Sequence, residues 1–497
     1  MSTERSSYRQ IMKATSIFGG VQVFQILIRI IRSKFIAVLL GPSGLGIAGL
    51  LGSTLQLISS LTTFGLGTSA VKEVSSAYAS DNKFEVSKKV KIVRRWVWIT
   101  GLLGALITLF GASWLSELTF GNDDYTFAFI WISITLLLNQ ISTGQNVLLR
   151  GTRKIKLLAQ ASVLGSVLGL FATIPLYYFY GIDGIVPGII LTSIVTLVLS
   201  WYFSNKVEIK NIRISYSDTF KEGKGMLKLG FMLSLSGIIT LGVSYIVRIF
   251  ISREGGVDQV GFYSAGFSII NSYVGMIFTA MSTDYFPRLS GVSSDLKKRN
   301  LEINQQTEIA ILILAPIVLI FMIYIKWGVI LLYSVKFLPV VQMILWAVLG
   351  ILFKAGAWAM GFLFLAKGAG KLFFWNEIVF NIYYLLLNII GYYFFGLEGL
   401  GMAFLLSYGL YMLQVFLISR KYYDFSYNIE FYKIFLIQLA LGSACLITSL
   451  LAPSPYSYVI GTFLIILSIY YAYKELNSRL DLNALFLKFK NKLGGRK

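Results

Sequence analysis

The amino-acid sequence predicts an all-α integral membrane protein with about fourteen transmembrane helices, each built from the roughly 20 apolar residues that cross a bilayer. Three observations predict this fold class: the composition, the spacing of apolar segments and the distribution of charge. Of the 497 residues, 56% are hydrophobic and only 13% are charged, and the mean hydropathy is +0.72. Soluble domains carry about a quarter charged residues, so this chain lacks the polar side chains that a water-facing surface requires.

Short turn signals separate the apolar segments and give the approximate limits of each predicted helix. The signals are Gly-Pro-Ser-Gly at 41–44, Gly-Ile-Asp-Gly at 181–184, Gly-Leu-Glu-Gly at 396–399 and Pro-Ser-Pro at 453–455. In chain order, the predicted spans cover approximately residues 15–40, 45–70, 96–115, 126–149, 157–180, 185–203, 229–251, 260–283, 307–326, 339–364, 373–395, 398–418, 434–452 and 456–473. No predicted loop is long enough to hold a soluble catalytic domain.

Positive charge is distributed asymmetrically between the two sets of alternating loops. The chain has 44 Lys and Arg residues against 23 Asp and Glu residues. The loops on one side carry only Arg253, Lys326 and Lys336, whereas the loops on the side of both termini carry nearly all the others. Cytoplasmic loops are enriched in Lys and Arg, which predicts that both termini are cytoplasmic. Because the charge is spread over every inner loop, without a recognisable nucleic-acid module, we predict no nucleic-acid partner.

The sequence contains an internal repeat with a constant offset. Gly46 matches Gly261 near its start, and the turn at 181–184 matches the turn at 396–399 near its end. The repeat predicts two six-helix lobes of the same topology, with a substrate site near their interface. The predicted domains are the lobes 1–210 and 222–425, an additional helix pair at 426–475, and a cytoplasmic tail at 476–497 that is either a basic amphipathic helix or a frayed end.

Polar side chains form stripes along several predicted spans, at positions that the repeat relates to one another. The stripes contain Gln22, Gln25, Arg29 and Arg32 in span 1, Gly237, Thr240, Ser244 and Arg248 in span 7, and the matched pair Gln56 and Asn271 in spans 2 and 8. Two interpretations stay open. Small and polar residues mark close helix packing in membranes, and polar residues also line cavities, since they are costly against lipid.

Cations outnumber acids inside the predicted spans. The cations are Arg29, Arg32, Lys34, Arg248 and Lys354, and the accompanying acid is Glu377. Lys34 and Arg248 are the best placed to snorkel to an interface. Together the cations predict a cationic cavity that binds an anion, because the planar arginine fork matches phosphate. Glu377 either pairs with a cavity cation or carries a coupling proton. A cation exporter would need a surplus of buried carboxylates, whereas this chain has a surplus of cations in its predicted spans.

The residue inventory limits the chemistry that the chain can perform. The sequence contains no histidine and a single cysteine, Cys445. This excludes His-based triads, His-ligated zinc and disulfide frameworks within the chain. The sequence also lacks the Gly-x-x-x-x-Gly-Lys-Ser/Thr pattern of a P-loop. We therefore predict no metal and no cofactor.

The run LLGPSGLGIAGLLGSTLQLISSLTTFGLGTSAVKEVS at 39–75 resembles the first two spans of Wzx-type O-antigen translocases. These are lipid-linked oligosaccharide flippases of the MOP superfamily, and the multidrug MATE exporters are their relatives. The two predicted lobes, the basic inner loops and the additional final helix pair fit this superfamily across nearly the whole chain. The resemblance implies a V-shaped helix bundle with a central cationic cavity, located in the bacterial cytoplasmic (inner) membrane.

The resemblance implies a flippase, not an enzyme. It would move an undecaprenyl-pyrophosphate-linked oligosaccharide from the cytoplasmic to the outer leaflet by alternating access, in contact with membrane lipids and with other surface-glycan assembly proteins. In this interpretation the pyrophosphate binds to Arg29, Arg32, Arg248 and Lys354, and the glycan binds to Gln22, Gln25, Gln56 and Asn271. Two alternatives stay open: a MATE-like cation or drug antiporter, and a membrane glycan polymerase or glycosyltransferase that would use Glu117, Asp123 and Asp124.

Overall fold

The structure of this protein, a computed structural model, describes residues 2–210, 212–271 and 275–480. In these ranges the regular elements are helices, with no strand, as the sequence predicts. Contacts divide the chain into two compact units, Met1–Gly261 and Phe262–Lys497. The predicted tail helix lies outside the described residues from position 481 onward.

The first unit consists of long helices joined by short turns. Its helices are α1 (Ser2–Leu39), α2 (Gly41–Thr62), α3 (Leu66–Ala79), α4 (Lys83–Phe110), α5 (Ala112–Phe120), α6 (Thr126–Gly151), α7 (Ile155–Tyr180), α8 (Ile185–Ser204), α9 (Tyr216–Gly255) and the beginning of α10 (Val257–Ile269). Because α9 packs on α2 and α3, it belongs to this unit, although the repeat assigns it to the second predicted lobe. The predicted lobes follow from sequence similarity and stay a prediction.

The second unit continues from α10 with further long helices. These are α11 (Gly275–Val292), α12 (Leu296–Leu332), α13 (Val341–Ala366), α14 (Gly370–Tyr423), α15 (Ile429–Leu451) and α16 (Tyr456–Leu480). In the apolar stretches of α12 and of the segment that contains α13, 61% and 67% of the residues are buried, against at most 44% elsewhere in the described chain. These two helices therefore form the centre of the second unit, and α14, α15 and α16 surround them.

Ten helical segments of the described chain are long and apolar enough to cross a membrane. Two of them are interrupted at predicted turns: Ile155–Ser204 by the 3₁₀ segment Gly181–Gly184, and α14 by Gly396, whose φ of 58° and ψ of −137° are not helical. Glycine adopts such a conformation at little cost because it has no Cβ atom. Predicted spans 1 and 8 are not among the ten segments, so the number of spans stays a prediction.

Predicted span 8 corresponds to two described helices, and whether it is continuous across residues 272–274 stays a prediction. The structure gives two helices, α10 ending at Ile269 and α11 starting at Gly275. After the end of α10, Ile270 and Asn271 are in π-helical conformation. π-Helical turns are rare and occur often at functional sites, and Asn271 is one of the predicted site residues.

The beginnings of α2 and α10 contact each other reciprocally. The Ser43 hydroxyl donates a hydrogen bond to Asp258, and the two residues are 215 positions apart, which is the offset of the repeat. A Cβ atom built on Gly46 would lie 2.1 Å from a backbone oxygen of α10, and one built on Gly261 would lie 2.0 Å from a backbone oxygen in the first turn of α2. Equivalent positions thus make equivalent contacts, as in an isologous interface.

A charged cluster joins α4 to the beginning of α9. Glu222 accepts ion pairs from Lys88 at 2.6 Å and Lys89 at 2.9 Å, and Lys89 also lies 3.3 Å from Glu73. Burial tends to raise the pKa of the Glu222 carboxyl, but the hydrogen bonds and charges of the two lysines outweigh this effect and lower it. The cluster therefore favours the ionised form of Glu222 in the folded protein.

Glu222 is expected to stabilise the fold at neutral pH and to lose this effect in acid. Because its pKa is lowered by folding, its contribution is present above the ordinary carboxyl pKa and disappears as the pH falls below about 4. Partly exposed ion pairs contribute at most about 1 kcal/mol. In detergent, Glu222→Gln should therefore lower the thermal midpoint by about 2 °C at pH 7, and this difference should vanish at acid pH. The exposed carboxylate of Glu254 supplies the control: a pH-dependent difference of the same size in Glu254→Gln would contradict the prediction.

In the second unit, a buried carboxylate links α12 to α15 and α16. Glu308 is only 4% exposed, and its carboxylate lies 3.1 Å from the Arg479 guanidinium. Asn428, the residue that caps α15, donates a second hydrogen bond to Glu308 at 2.8 Å. Arg479 also pairs with Glu475 one turn earlier. These bonds attach the final helix pair to the central helix of the unit.

Candidate substrate site

The cations of predicted span 1 lie on α1 with different degrees of burial. Arg29 is exposed and Arg32 is half-buried. The guanidinium of Arg32 points toward α7, where a Cβ atom on Gly169 would lie 3.1 Å from its Nη2 atom. The Nε atom of Arg32 is buried and has no hydrogen-bond partner. Arg32 therefore keeps an unused donor, and the absence of a side chain at Gly169 leaves room for its guanidinium.

The glutamines predicted to contact sugars are accessible in the first unit. Gln22 on α1 and Gln56 on α2 are exposed, and Gln25 on α1 is half-buried. A side-chain amide presents two donors and an acceptor, so each can hydrogen-bond to a hydroxyl-rich ligand. Their accessibility is consistent with that role and also with contact with solvent or headgroups.

Arg248 lies on α9, also in the first unit. Its guanidinium donates to the backbone oxygen of Ser244 at 3.1 Å and to the Ser244 hydroxyl. The two polar residues that the sequence places on one face of this helix thus contact each other. This contact holds the guanidinium along the helix axis.

In the second unit, Lys354 lies among aromatic rings. Its Nζ atom is 5.0 Å from the centre of the Tyr408 ring and 5.6 Å from that of Phe278. Cation–π contacts of this kind are worth about 0.5–2 kcal/mol. No carboxylate of the described chain forms an ion pair with Lys354. Its positive charge is therefore held by π systems and is not neutralised.

Glu377 is held by hydrogen bonds. The Tyr411 hydroxyl donates to its carboxylate at 2.9 Å, and the Asn376 amide lies 3.4 Å away. Within the part of the chain that the structure describes, no lysine or arginine pairs with Glu377. The Phe380 ring joins this group to Lys354, because it contacts both Tyr411, at 4.7 Å, and Tyr408, at 5.4 Å. The sequence-predicted pairing with a cation is not formed here, and a coupling role stays a prediction.

The predicted site residues thus form two sets, each inside one unit. The first set comprises Gln22, Gln25, Arg29, Arg32, Gln56 and Arg248, and the second comprises Asn271, Lys354 and Glu377. The acidic residues of the enzyme alternative lie at the surface of the first unit, where Ser113 donates to Asp123 at 3.0 Å. Among the described residues, no group of three or more acidic, His or Cys side chains could hold a metal ion.

Sequence analysis missed a polar group that lies between α4, α6 and α8. Gln145 is 7% exposed, and its side-chain oxygen accepts hydrogen bonds from the Ser204 hydroxyl at 2.8 Å and from Arg94 at 3.4 Å. The available signal was Gln145 itself, a polar residue inside an apolar segment, because such residues are costly unless they have a partner.

The family comparison gives a match to more than half of the chain. Residues 35–342 match the model of a family described as "Polysaccharide biosynthesis protein". A Shigella flexneri protein that carries the provisional name O-antigen transporter is 26% identical over 304 residues, which cover 60% of this chain and 71% of that protein. The lipid III flippase of Escherichia coli (strain K12) is 25% identical over 353 residues, which cover 69% of this chain and 82% of that protein.

Solved structures with the same fold cover most of the chain. The lipid II flippase MurJ, in an inward closed conformation, matches with a TM-score of 0.71 and 16% identity over 93% of this chain and 99% of that chain. An inward-facing multidrug resistance MATE family transporter of the MOP superfamily matches with a TM-score of 0.69 and 16% identity over 82% of this chain and 96% of that chain. These similarities confirm the predicted fold class, an all-α MOP/MATE-like membrane protein.

Proposed function

We propose that this chain, which belongs to the polysaccharide biosynthesis protein family, is a flippase for a lipid-linked oligosaccharide. The observation that carries the proposal is the agreement between two independent comparisons. Relatives in sequence bear the names O-antigen transporter and lipid III flippase, and a lipid II flippase has the same fold over 93% of the chain. The chain is a transporter and not an enzyme.

The cargo that we propose is an oligosaccharide on undecaprenyl pyrophosphate. Arg29, Arg32, Arg248 and Lys354 would bind the pyrophosphate, and Gln22, Gln25, Gln56 and Asn271 would bind sugar hydroxyls. The uncompensated charge of Lys354 and the unused Nε donor of Arg32 support this assignment. A cavity lined by these cations would attract a diphosphate, since charge-assisted hydrogen bonds are about twice as strong as neutral ones.

The proposed direction of transport follows from charge. We place the protein in the bacterial inner membrane with both termini in the cytoplasm, because Lys and Arg are concentrated on that side. A diphosphate that leaves the cytoplasmic leaflet moves down an inside-negative potential, which contributes about 2.3 kcal/mol per charge per 100 mV. The two halves would open alternately to either side of the membrane, as in other transporters built from repeats.

The drug antiporter alternative shares the fold but gains no support from the charges. A cavity for organic cations needs carboxylates, and Glu377 is the single acid among the predicted site residues. Glu377 is also already hydrogen-bonded to Tyr411. The excess of cations favours an anionic cargo.

Removal of the arginine side chains proposed to bind the pyrophosphate is expected to block export. In cells that depend on this protein for surface glycan, Arg29→Ala and Arg248→Ala should each reduce surface glycan by about tenfold or more, because a hydrogen bond to a charged group is worth about 1.5–3 kcal/mol. The lipid-linked precursor should accumulate in the cytoplasmic leaflet. Both quantities can be measured by glycan labelling of intact cells and by extraction of the lipid fraction.

Arg150→Ala provides the matched control, because Arg150 is an exposed arginine at the end of α6. This variant should export normally, and all variants should reach the membrane in equal amounts. Normal export in both Arg29→Ala and Arg248→Ala would remove these residues from the site. Extension of the glycan by the purified protein would instead support the enzyme alternative.

A further inference from the structure

A small cavity lies between α4, α6 and α8, apart from the residues proposed to bind the cargo. Its volume is about 160 Å³, and its lining includes Arg94, Trp98, Gln145, Trp201 and Asn205. All five residues belong to the first unit. The lining thus combines a cation, two indole rings and two amides.

The guanidinium of Arg94 is not neutralised. Its Nη2 atom makes one long hydrogen bond, 3.4 Å, to Gln145, and its buried Nε atom has no hydrogen-bond partner. No ion pair to Arg94 occurs in the described ranges. The neighbouring Arg95 differs, because it donates to two backbone oxygens and lies 4.5 Å from the Tyr216 ring centre. Arg95 is used to hold the fold, whereas most donors of Arg94 stay available.

The oxygen that receives the Arg94 hydrogen bond is itself fixed in place. Gln145 is 7% exposed, and the Ser204 hydroxyl donates to the same side-chain oxygen at 2.8 Å. This shared acceptor ties α4 to α6 and α8 at one point. The position of the guanidinium is therefore set by the packing of three helices.

The aromatic residues at the cavity are typical of a membrane interface. Trp98 is 56% exposed and Trp201 is 55% exposed. Beside them on the chain, Lys206 places its Nζ atom 4.4 Å from the Tyr202 ring centre. Trp and Tyr are enriched at the level of the lipid headgroups. Since the basic beginning of α4 precedes this level, the cavity would face the headgroups of the leaflet that we assign to the cytoplasm.

We propose that this cavity binds the phosphate of a lipid of the cytoplasmic leaflet. The guanidinium fork would donate to phosphate oxygens, the Asn205 amide would add a donor, and the indole rings would cover the glycerol and the upper acyl carbons. The volume of about 160 Å³ suits a headgroup phosphate. The proposal rests on the membrane orientation given above but not on the identity of the cargo, so it can hold even if the flippase assignment fails.

The phosphate can belong to a phospholipid headgroup or to the lipid diphosphate of the cargo, and binding to the purified full chain distinguishes them. Native mass spectrometry in detergent would measure the first bound molecule of phosphatidylglycerol, phosphatidylcholine or a polyprenyl diphosphate. We expect phosphatidylglycerol to bind more tightly than phosphatidylcholine, and Arg94→Gln to weaken its first binding step about tenfold. Tighter binding of the polyprenyl diphosphate, with the same loss in Arg94→Gln, would assign the site to the cargo lipid.

Two further variants make the test specific. Arg94→Lys keeps the charge but lacks the fork, so it should bind with intermediate affinity. Arg150→Gln removes a charge from the exposed end of α6 and should bind as the original protein does. Unchanged binding in Arg94→Gln, or an equal loss in Arg150→Gln, would overturn the proposal. Thermal midpoints and gel-filtration profiles that match the original protein would show that the variants are folded, and a variant that does not fold would be replaced by Asn205→Ala, for which a weaker loss is expected.

Discussion

Replacing Gly46 or Gly261 by valine is expected to reduce export by at least about tenfold, even though neither residue is proposed to touch the cargo. A Cβ atom at Gly46 would lie 2.1 Å from the Val257 backbone oxygen, and one at Gly261 would lie 2.0 Å from the Pro42 backbone oxygen. Backbone atoms cannot rotate away as flexible side chains do. A valine must therefore separate α2 from α10, and overpacking of this kind costs about 1–3 kcal/mol.

The contact between α2 and α10 is reciprocal, which predicts that the two valine variants reduce export by similar amounts. Gly46 and Gly261 are equivalent in the repeat. The residues that they contact, Val257 and Pro42, are equivalent as well. Ser43 and Asp258, which are also equivalent, are joined by a hydrogen bond. The two valine variants should therefore have defects of similar size, because each opens the same helix crossing. If transport requires this crossing to close in one state, both variants lose that state.

The matched control is Gly52→Val, since Gly52 lies on the same helix and has no atom within 4 Å of its built Cβ position. Gly52→Val makes the same change in helix propensity but brings no Cβ atom against the backbone of another helix. Surface glycan, normalised to the amount of protein in the membrane, is the measurement. Export by Gly46→Val at the level of Gly52→Val would show that the close approach of α2 and α10 is not needed for transport.

The sequence predicted the features that depend on local chemistry. Gly41, Gly181 and Gly396 all have positive φ values, so the turn signals marked positions where the chain changes direction and only glycine fits without strain. The repeat was also informative, because the Ser43–Asp258 hydrogen bond joins two positions that its offset relates.

The candidate site was only partly predictable, because the surroundings of a charged residue are set by residues distant in the chain. The sequence shows that Lys354 is a cation in an apolar helix, but not that Tyr408 and Phe278 face it. Arg94 and Arg95 are adjacent, and periodicity gives no reason to treat them differently. Only the packing of α4 against its neighbours separates a structural arginine from one with available donors.

Arg479→Met is expected to be the most destabilising of the single substitutions considered in the second unit. Glu308 is 4% exposed in the folded protein, and the substitution would leave Asn428 as the remaining side-chain donor to its carboxylate among the described residues. Breaking a buried ion pair on one side costs about 3–5 kcal/mol, because the other charge stays buried without compensation. The thermal midpoint in detergent should fall by about 5 °C or more. The Arg479–Glu475 pair is more exposed, so Glu475→Gln should change stability by less than about 1 kcal/mol.

The effect of a second substitution on stability tests whether the uncompensated charge of Glu308 causes the destabilisation. Adding Glu308→Gln to Arg479→Met removes the uncompensated charge while keeping a side chain that can accept the Asn428 hydrogen bond, so most of the lost stability should return. A loss of packing alone would not be restored by this change. Persistence of the full defect in the double variant would therefore contradict the electrostatic explanation. Recovery would show that the final helix pair is attached to α12 through the neutralisation of one buried carboxylate, because the bond joins residues 171 positions apart.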